Sequence, residues 1–257
     1  MTFPYLPVEE AISTPGLRMV VVGNVPSPWG EAAKGIFHVK KIDWKAVRLA
    51  YDSEPLKQWT KGQLNGPIAF YENDPPRSGW AEILLLAERL APTPALLPND
   101  PAERALAFGL AHEILGEGGL GWTRRLQLVH YGLQNEPGFA PPVAKYLSKK
   151  YGYDEQAAKT YGPRVIELLG MLAMRLKAQR DAGSRYYVGN AVTAVDIYSA
   201  TAMALFGPLP HEECAMKPDT RVAFGALDAQ TREALDPILF EHRDRMYAEH
   251  LALPLSL

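Results

Sequence analysis

Ser27 is the residue whose surroundings most clearly suggest chemistry. It begins the segment SPWG, which lies between an apolar, β-branched run that ends at Val22 and a helical pattern that is regular from about Glu31. This order predicts a buried strand, a tight loop and a helix N-terminus, with Ser27 at the N-cap and Pro28 at the first helical position. Because the first turn of a helix has unpaired N–H groups and the positive end of the helix dipole, we expect the Ser27 hydroxyl either to cap the helix or to hydrogen-bond an anion such as a thiolate.

Thr193 and Asp196 form a second well-defined polar pair. A threonine followed three residues later by an acid is a capping box, in which the threonine oxygen accepts from the N–H at N3 and the acid accepts from the N–H at the cap. The apolar residues Ile197, Ala200 and Leu205 follow, so the box begins a helix that is buried. We interpret the pair as a folding device with no part in catalysis.

Three strands and their helices are predicted around Ser27. The spacing of apolar residues indicates strands over 19–22, 44–50 and 66–71 and helices over 31–39, 55–61 and 78–91. The first two strands and the helix between them are close enough in sequence to form a βαβ unit, whose strands are parallel. The third strand opens on Pro67, which lacks the N–H of a strand ladder and is of the residue type that tolerates a cis peptide bond.

A proline-rich stretch divides the chain into two parts. Residues 91–101 contain four prolines, which can continue neither a helix nor a central strand. Beyond them we predict helices over 102–115, 122–133, 143–150, 155–180, 228–235 and 237–250. The expected domains are an extended N-terminal arm over 1–17, an α/β domain over 18–90, a Pro-rich linker over 91–100 and an all-helical domain over 101–257.

Composition limits the classes of function. The 257 residues carry a formal charge of −2, which gives no electrostatic support for a nucleic-acid or anionic-membrane partner. The single cysteine, Cys214, excludes an internal disulfide framework and a CxxC site, and we expect it to be a small core residue. No apolar run approaches the ~18 residues of a membrane span, and the N-terminus lacks the layout of a signal peptide. We therefore expect a cytoplasmic protein.

The order of these features resembles the glutathione S-transferase superfamily. The features are the strand–SPxx–helix segment, the strand that opens on proline, the Pro-rich linker, and the motif GNxxTxxDIY over 189–198. The resemblance implies an N-terminal thioredoxin-like, glutathione-binding domain followed by a C-terminal helical bundle domain that supplies most of an apolar co-substrate pocket. Glutathione is then the expected co-substrate, no metal is expected, and a homodimer is expected because family members are commonly homodimers.

The resemblance also assigns roles to residues of this chain. Ser27 matches the family's catalytic position, where the residue donates a hydrogen bond to the glutathione sulfur and lowers the pKa of the thiol. The pair Gly66-Pro67 resembles the loop whose cis-proline lies beside the backbone of glutathione. The expected glutathione-binding residues are Gly66, Pro67, Ile68, Arg77, Ser78 and Gly79. The expected residues of the co-substrate pocket are Trp29, His112 and Trp122.

Two positions depart from the family's pattern. Family members usually have an acidic residue followed by serine at the start of the third helix, where this chain has Ser78-Gly79, and an apolar residue where it has Gly66. Arg77 could clamp a carboxylate instead, and Glu82 lies one turn on, but neither is the arrangement usual in the family. Members with thiol transferase or dehydroascorbate reductase activity have a cysteine where this chain has Ser27. The leading expectation is a detoxification enzyme that activates the glutathione thiolate for attack on a small, largely apolar electrophile. The alternatives are a non-catalytic binding or scaffold protein that has lost the glutathione-gripping pair, and a specialised glutathione-dependent lyase, dehalogenase or isomerase.

Other polar residues receive simpler interpretations. His112 and Glu113 are expected to form a polar pair at the surface or core edge, with no HExxH pattern for a metal. Trp122, Arg124 and Arg125 follow a glycine-rich break, where they could shape the entrance of the pocket, but we expect a solvated basic turn. The polar residues of the last helix are expected on its exposed face, namely His242, Arg243 and Arg245.

Overall fold

A mixed three-stranded sheet organises the first part of the computed structural model, which describes residues 4–257. The strands are β1 Leu17–Val21, β2 Trp44–Arg48 and β3 Ile68–Tyr71, in the order β2-β1-β3. Strand β1 is parallel to β2 and antiparallel to β3, so that Val20 lies opposite both Val47 and Ile68. All five residues of β1 are buried, as a central strand covered on both faces requires. The predicted parallel pairing of the first two strands is confirmed.

Helices cover both faces of this sheet. They are α1 Val8–Ser13, α2 Pro28–Val39, α3 Glu54–Trp59 and α4 Trp80–Leu90. Met19 and Val21 belong to the core shared with α2 and α4, whereas Val20 belongs to a separate core with residues of α1 and α3. This division follows from the alternation of side chains along a strand.

The expectation of an extended arm over residues 1–17 is wrong in part, because this segment contains α1. The helix begins just after Pro7 and ends before Pro15, so the prolines flank it and do not interrupt it. Ala11 is fully buried among residues of the second core, including Leu56 of α3. A helix of six residues is marginal alone, so this tertiary packing decides its formation. Residues 1–3 lie outside the described part of the chain.

The rest of the structure is helical, as the expected C-terminal helical bundle requires. The helices are α5 Pro101–Leu115, α6 Leu120–Leu133, α7 Pro141–Lys150, α8 Ala158–Asp181, α9 Ala194–Ala202, α10 Pro218–Phe224, α11 Ala229–Glu233 and α12 Pro237–Glu249, with a 3-10 turn over Met203–Leu205. Every residue of α9 is buried. Helix α10 was not anticipated from the sequence. The thioredoxin-like sheet with its helices, followed by a helical bundle, confirms the expected fold class.

The two parts are joined by close packing. A Cβ atom added at Gly35 of α2 would lie 2.9 Å from both Ile197 of α9 and Leu251, so α2 approaches α9 at a position that admits no side chain. The expected linker, 91–100, contains no helix or strand, and its Leu96 carbonyl accepts a hydrogen bond from Ala194 N at 2.9 Å. We keep 91–100 as our proposed domain boundary. Within the described residues no helix is both long and apolar enough to cross a membrane.

The capping box begins α9 as expected. The Asp196 carboxylate accepts hydrogen bonds from Thr193 N at 2.8 Å, Thr193 Oγ1 at 2.8 Å and Tyr187 N at 2.9 Å. Asp196 is fully buried, and this burial raises the pKa of its carboxyl group to about 6, against the lowering effect of the hydrogen bonds. The box therefore satisfies buried backbone donors at a helix start. Cys214 is also buried, as expected.

The expectation that His242 lies on an exposed helix face is wrong. Its side chain is 1% exposed, and its Nε2 lies 3.4 Å from Asp196 Oδ1. Its Nδ1 lies 2.8 Å from an Arg245 nitrogen, which can only donate. Nε2 therefore carries the proton of the neutral ring. Burial, with the Arg245 charge second, lowers the pKa of His242 to about 3.

Replacing His242 by glutamine is expected to make the protein less sensitive to acid. Because the folded-state pKa of about 3 lies below the ordinary value of 6.5, the unfolded state binds the proton more readily between these two pH values. The His242 contribution is therefore intact above pH 6.5 and is lost as the pH falls through this window. The contribution of Asp196 to stability changes with pH in the opposite direction, because its folded-state pKa is raised. Asp196 is present in both proteins. The measurement is denaturant unfolding of both proteins from pH 7.5 to 5.0. Below pH 6.5, the free energy of unfolding of the wild type should fall by up to about 1.4 kcal/mol per pH unit relative to that of His242→Gln. Parallel curves would contradict this account.

Candidate active site

A cleft of about 750 Å³ lies where the sheet domain meets the helices. Its walls come from the loop between β1 and α2, the loop before β3 and the start of α4 on one side. Helices α5, α6, α7 and α10 form the other side. This volume is within the usual range of ligand pockets. Of the twelve residues to which we assigned site or capping roles, eight line this cleft, namely Ser27, Trp29, Gly66, Pro67, Ser78, Gly79, His112 and Trp122.

Ser27 occupies the N-cap position of α2, but its side chain does not cap the helix. The first intrahelical hydrogen bond runs from Glu31 N to the Ser27 carbonyl at 2.8 Å, so the N–H groups of Trp29 and Gly30 precede the helical ladder. The Ser27 hydroxyl is partly buried on the wall of the cleft and has no hydrogen-bond partner within residues 4–257. Of the two roles that the sequence left open, the simple side-chain cap is therefore wrong.

The loop before β3 brings backbone to the cleft. The Gly66–Pro67 peptide bond is cis, and both residues line the cleft. A Cβ atom at Gly66 would lie 3.2 Å from Val22 N, so glycine permits the loop to lie close to the end of β1. Ile68, by contrast, is fully buried in the core that also contains Val20.

The start of α4 contributes Ser78 and Gly79, with Gly79 at the N-cap. A Cβ atom at Gly79 would lie 1.7 Å from Glu82 Oε2, which shows that the Glu82 carboxylate folds back over Gly79. Arg77 pairs through its backbone with Ala69, at 2.9 and 2.8 Å. Within the described chain neither Arg77 nor Ile68 lines the cleft.

Trp29 joins the two parts of the structure at the cleft. Its Nε1 donates to the Leu115 carbonyl at the end of α5 at 2.8 Å, and its ring lies 3.3 Å from the Cβ position of Gly121. Trp122 packs edge-on against Tyr151, with ring centroids 5.0 Å apart. The two indole rings form an apolar wall of the cleft. The polar N–H group of Trp29 is satisfied by its hydrogen bond to the Leu115 carbonyl.

The expected polar pair of His112 and Glu113 is divided between two surfaces. His112 lines the cleft, with its ring centroid 6.4 Å from that of Trp80. Glu113 forms an ion pair with Arg164. Adjacent helix positions differ by about 100° in direction, so neighbours in sequence need not share a face. Within residues 4–257 no cluster of three or more His, Cys, Asp or Glu is placed to hold a metal ion.

Arg124 and Arg125 do not form the solvated turn expected from the sequence. Arg124 is fully buried in α6 and donates to the Leu205 carbonyl at 3.1 Å and to Gln127 Oε1 at 2.6 Å. Its burial lowers the pKa of the guanidinium to about 10. Arg125 points to the cleft instead, with its guanidinium carbon 4.1 Å from the centroid of the Trp29 ring.

Sequence reasoning also missed the residues around Arg125. Lys150 at the end of α7 lines the cleft, and its ammonium lies 5.3 to 5.7 Å from the centroids of three tyrosine rings, those of Tyr51, Tyr146 and Tyr151. These residues come from three separate segments with no common spacing. The only signal for this cluster in the sequence was the pair of arginines, Arg124 and Arg125, that follows Trp122.

The structure is similar to those of solved glutathione S-transferases. A glutathione S-transferase from Methylobacterium radiotolerans, in complex with glutathione sulfonate, is 18% identical over 94% of this chain and 97% of that chain, with a TM-score of 0.60. One from Methylobacillus flagellatus with glutathione bound is 12% identical over 90% of this chain and 94% of that chain, with a TM-score of 0.62. A glutathione transferase from Pseudomonas putida, with one glutathione disulfide per subunit, is 15% identical over 92% and 96%, with a TM-score of 0.56.

No family model and no curated protein matches the sequence. The similarity is therefore one of three-dimensional structure, and it extends over nearly the whole length of both chains in each comparison. It includes the small mixed sheet, the helices on its two faces and the helical bundle that follows. The chain has the glutathione S-transferase fold.

Proposed function

We propose that the protein is a glutathione transferase-like enzyme that activates the thiol of glutathione at Ser27. The observation that carries the proposal is the Ser27 hydroxyl at the first turn of α2, which has no hydrogen-bond partner within residues 4–257 and lies on the wall of a cleft of about 750 Å³. Solved structures of the same fold whose descriptions include bound glutathione or its sulfonate support the tripeptide as the ligand.

Ser27 would act on the sulfur atom. Its hydroxyl donates a hydrogen bond to the thiolate, and the N–H groups of Trp29 and Gly30, with the dipole of α2, favour the same negative charge. These interactions stabilise the thiolate relative to the thiol and lower the thiol pKa. The thiol proton passes to solvent, the sulfur forms a bond to an electrophilic carbon, and the electron pair of the bond that breaks leaves with the displaced group.

The remaining lining residues would hold the two substrates. We infer that the backbone of glutathione lies along Gly66-Pro67 and that its γ-glutamyl end lies at Ser78 and Gly79. Among the described residues Glu82 does not itself line the cleft, but its carboxylate folds over Gly79, which does. From there it would supply the negative charge for the γ-glutamyl ammonium that the missing acidic residue would have supplied. The apolar electrophile would contact Trp29, His112 and Trp122. Ile68 and Arg77 are left out of this set because neither lines the cleft.

A non-catalytic binding protein is the second candidate. The observation that favours it is the presence of Ser78-Gly79 where the family usually has an acid followed by serine. Since a fold by itself does not fix a function, the same cleft could bind glutathione without turning it over.

Titration of glutathione into the purified protein is expected to give saturable heat with a Kd of about 1 mM or below. Glu82→Gln should weaken binding about three- to tenfold, because it removes an exposed charge that pairs with the ammonium. Glu54→Gln, at an exposed acid on α3, is the matched control and should leave the Kd unchanged.

Two outcomes would overturn the proposal. Absence of both heat and thermal stabilisation at millimolar glutathione would contradict a glutathione site. Binding without conjugation of any electrophile in an aromatic and aliphatic panel would favour the non-catalytic candidate.

A further inference from the structure

Arg125 lies against two aromatic rings on the wall of the cleft. Its guanidinium carbon lies 4.1 Å from the centroid of the Trp29 ring and 4.5 Å from that of Tyr151. Within residues 4–257 it makes neither a hydrogen bond nor an ion pair. A guanidinium has five N–H donors in a planar fork that matches a carboxylate. The guanidinium of Arg125 therefore lies at the cleft, and within residues 4–257 its N–H donors have no acceptor.

Lys150 brings a second positive charge to the same wall. Its ammonium donates to the Leu64 carbonyl at 3.0 Å and to Tyr146 Oη at 3.4 Å, and it pairs with no carboxylate within the described chain. Burial lowers the pKa of Lys150, and the neighbouring charge of Arg125 lowers it further. Burial also lowers the pKa of Arg125. Two desolvated like charges are costly together, and an anion between them would offset that cost.

The acids of the cleft do not neutralise this pair. Glu117 and Asp219 line the cleft, as does Lys217, but neither acid forms an ion pair with Arg125 or Lys150 within residues 4–257. An anion that pairs with Arg125 and Lys150 would therefore have to be supplied from outside the described chain.

The aromatic rings around the pair indicate what else the ligand carries. Tyr51, Val143 and Tyr146 are large apolar residues that line the cleft with 43 to 46% of their surfaces exposed. The Arg125 guanidinium lies over the rings of both Trp29 and Tyr151, and these contacts restrict its orientation before a ligand binds. A ligand with a flat apolar part would cover the exposed rings, and an anionic group at its end would contact Arg125 and Lys150.

We propose that Arg125 and Lys150 form a subsite for a carboxylate carried by the electrophilic co-substrate, so that the protein prefers aromatic electrophiles with an acidic group. This rests on the proposed function, since Ser27 and Arg125 line the same cleft and Trp29, two residues after Ser27, contacts Arg125. The carboxylate could otherwise be one of those of glutathione, and the experiment separates these two sources.

The test compares a chlorodinitrobenzoate with its methyl ester as electrophiles. Arg125→Met keeps the side chain's length and apolar contact but removes the charge. It should lower kcat/KM for the carboxylate relative to the ester by about 10- to 100-fold, the effect of hydrogen bonds to a charged group, mainly through KM. Lys150→Met should lower the same ratio about 3- to 10-fold. Lys149→Met, at the exposed neighbour on α7, is the control and should not change the ratio.

Three results would overturn the subsite. An equal loss for the acid and the ester would show that Arg125 only shapes the cleft. A rise in the KM for glutathione with an unchanged ratio would assign the cations to a carboxylate of glutathione. An unchanged ratio in both variants would show that no carboxylate binds there.

A binding measurement separates failure of the subsite from failure of the proposed function. An unreactive nitrobenzoate should quench tryptophan fluorescence in the wild type and bind at least 10-fold more weakly to Arg125→Met, whereas nitrobenzamide should bind both proteins alike. This readout needs no turnover. Equal affinity of the wild type for the acid and the amide would contradict the subsite even if conjugation is active.

Discussion

Replacing Ser27 by alanine is expected to lower kcat/KM for glutathione conjugation by about 100-fold, the usual cost of removing one donor to a developing or fixed anion. The bound thiol should lose a hydrogen bond to its charged form, worth about 1.5–3 kcal/mol. Its pKa should therefore rise by about one to two units. The affinity for glutathione should change little, because the backbone at Gly66-Pro67 and the start of α4 are untouched.

The measurement is the thiolate absorbance of the glutathione complex as a function of pH, together with the pH–rate profile. Ser13→Ala, at an exposed serine of α1, is the matched control and should leave both unchanged. A bound thiol pKa that is the same in the wild type and in Ser27→Ala would show that Ser27 does not act on sulfur. Activation would then rest on the N–H groups of α2 alone.

The same variant tests the position of the hydroxyl. Because Ser27 makes no capping hydrogen bond with its side chain, its loss should change the free energy of unfolding by less than about 0.5 kcal/mol. Loss of a working N-cap serine costs about 0.5–2 kcal/mol. A loss near the upper end of that range would place the hydroxyl on the helix and not in the cleft.

Replacing Asp196 by alanine is expected to destabilise the protein by about 3–5 kcal/mol. Three donors would lose their acceptor in a fully buried place, namely Thr193 N, Thr193 Oγ1 and Tyr187 N. Each unsatisfied donor costs about 1–3 kcal/mol, and His242 Nε2 would lose its neighbouring charge as well. Asp196→Asn should lose less, because one amide oxygen still accepts a hydrogen bond.

Denaturant unfolding at pH 7.5 measures this loss. Asp244→Ala is the control, since its carboxylate is exposed and pairs only with the neighbouring Arg243 among the described residues; its effect should stay within about 0.5 kcal/mol. A loss below about 1 kcal/mol for Asp196→Ala would mean that water replaces the carboxylate, which its burial argues against.

The order of local elements could be read from the sequence because short-range contacts determine it. The run before Gly23 became β1, the SPWG segment became the start of α2, and Thr193 with Asp196 began α9. A helix hydrogen bond and a capping box join residues three or four positions apart. The parallel pairing of β1 with β2 followed from the helix between them, because a strand, a crossover helix and a second strand form a βαβ unit.

The surroundings of each side chain, core or cleft, depended on the tertiary structure. Pro67 lines the cleft from the loop before β3, whereas Ile68, the first residue of β3, is fully buried in the core with Val20. Arg124 is buried and Arg125 lines the cleft, because one helix step turns the direction by about 100°. Periodicity shows that faces differ, but only packing decides which face meets which neighbour.

Long-range packing also decided features that carry no local signal. Helix α1 forms where prolines suggested an extended arm, and His242 is buried beside Asp196 although 46 positions separate them (242 − 196). The cluster of Arg125, Lys150 and three tyrosines comes from segments far apart in the chain. The sequence by itself thus determined the fold class and the place of Ser27. The charged and aromatic end of the cleft arose only when α6, α7 and the loop after β2 came together.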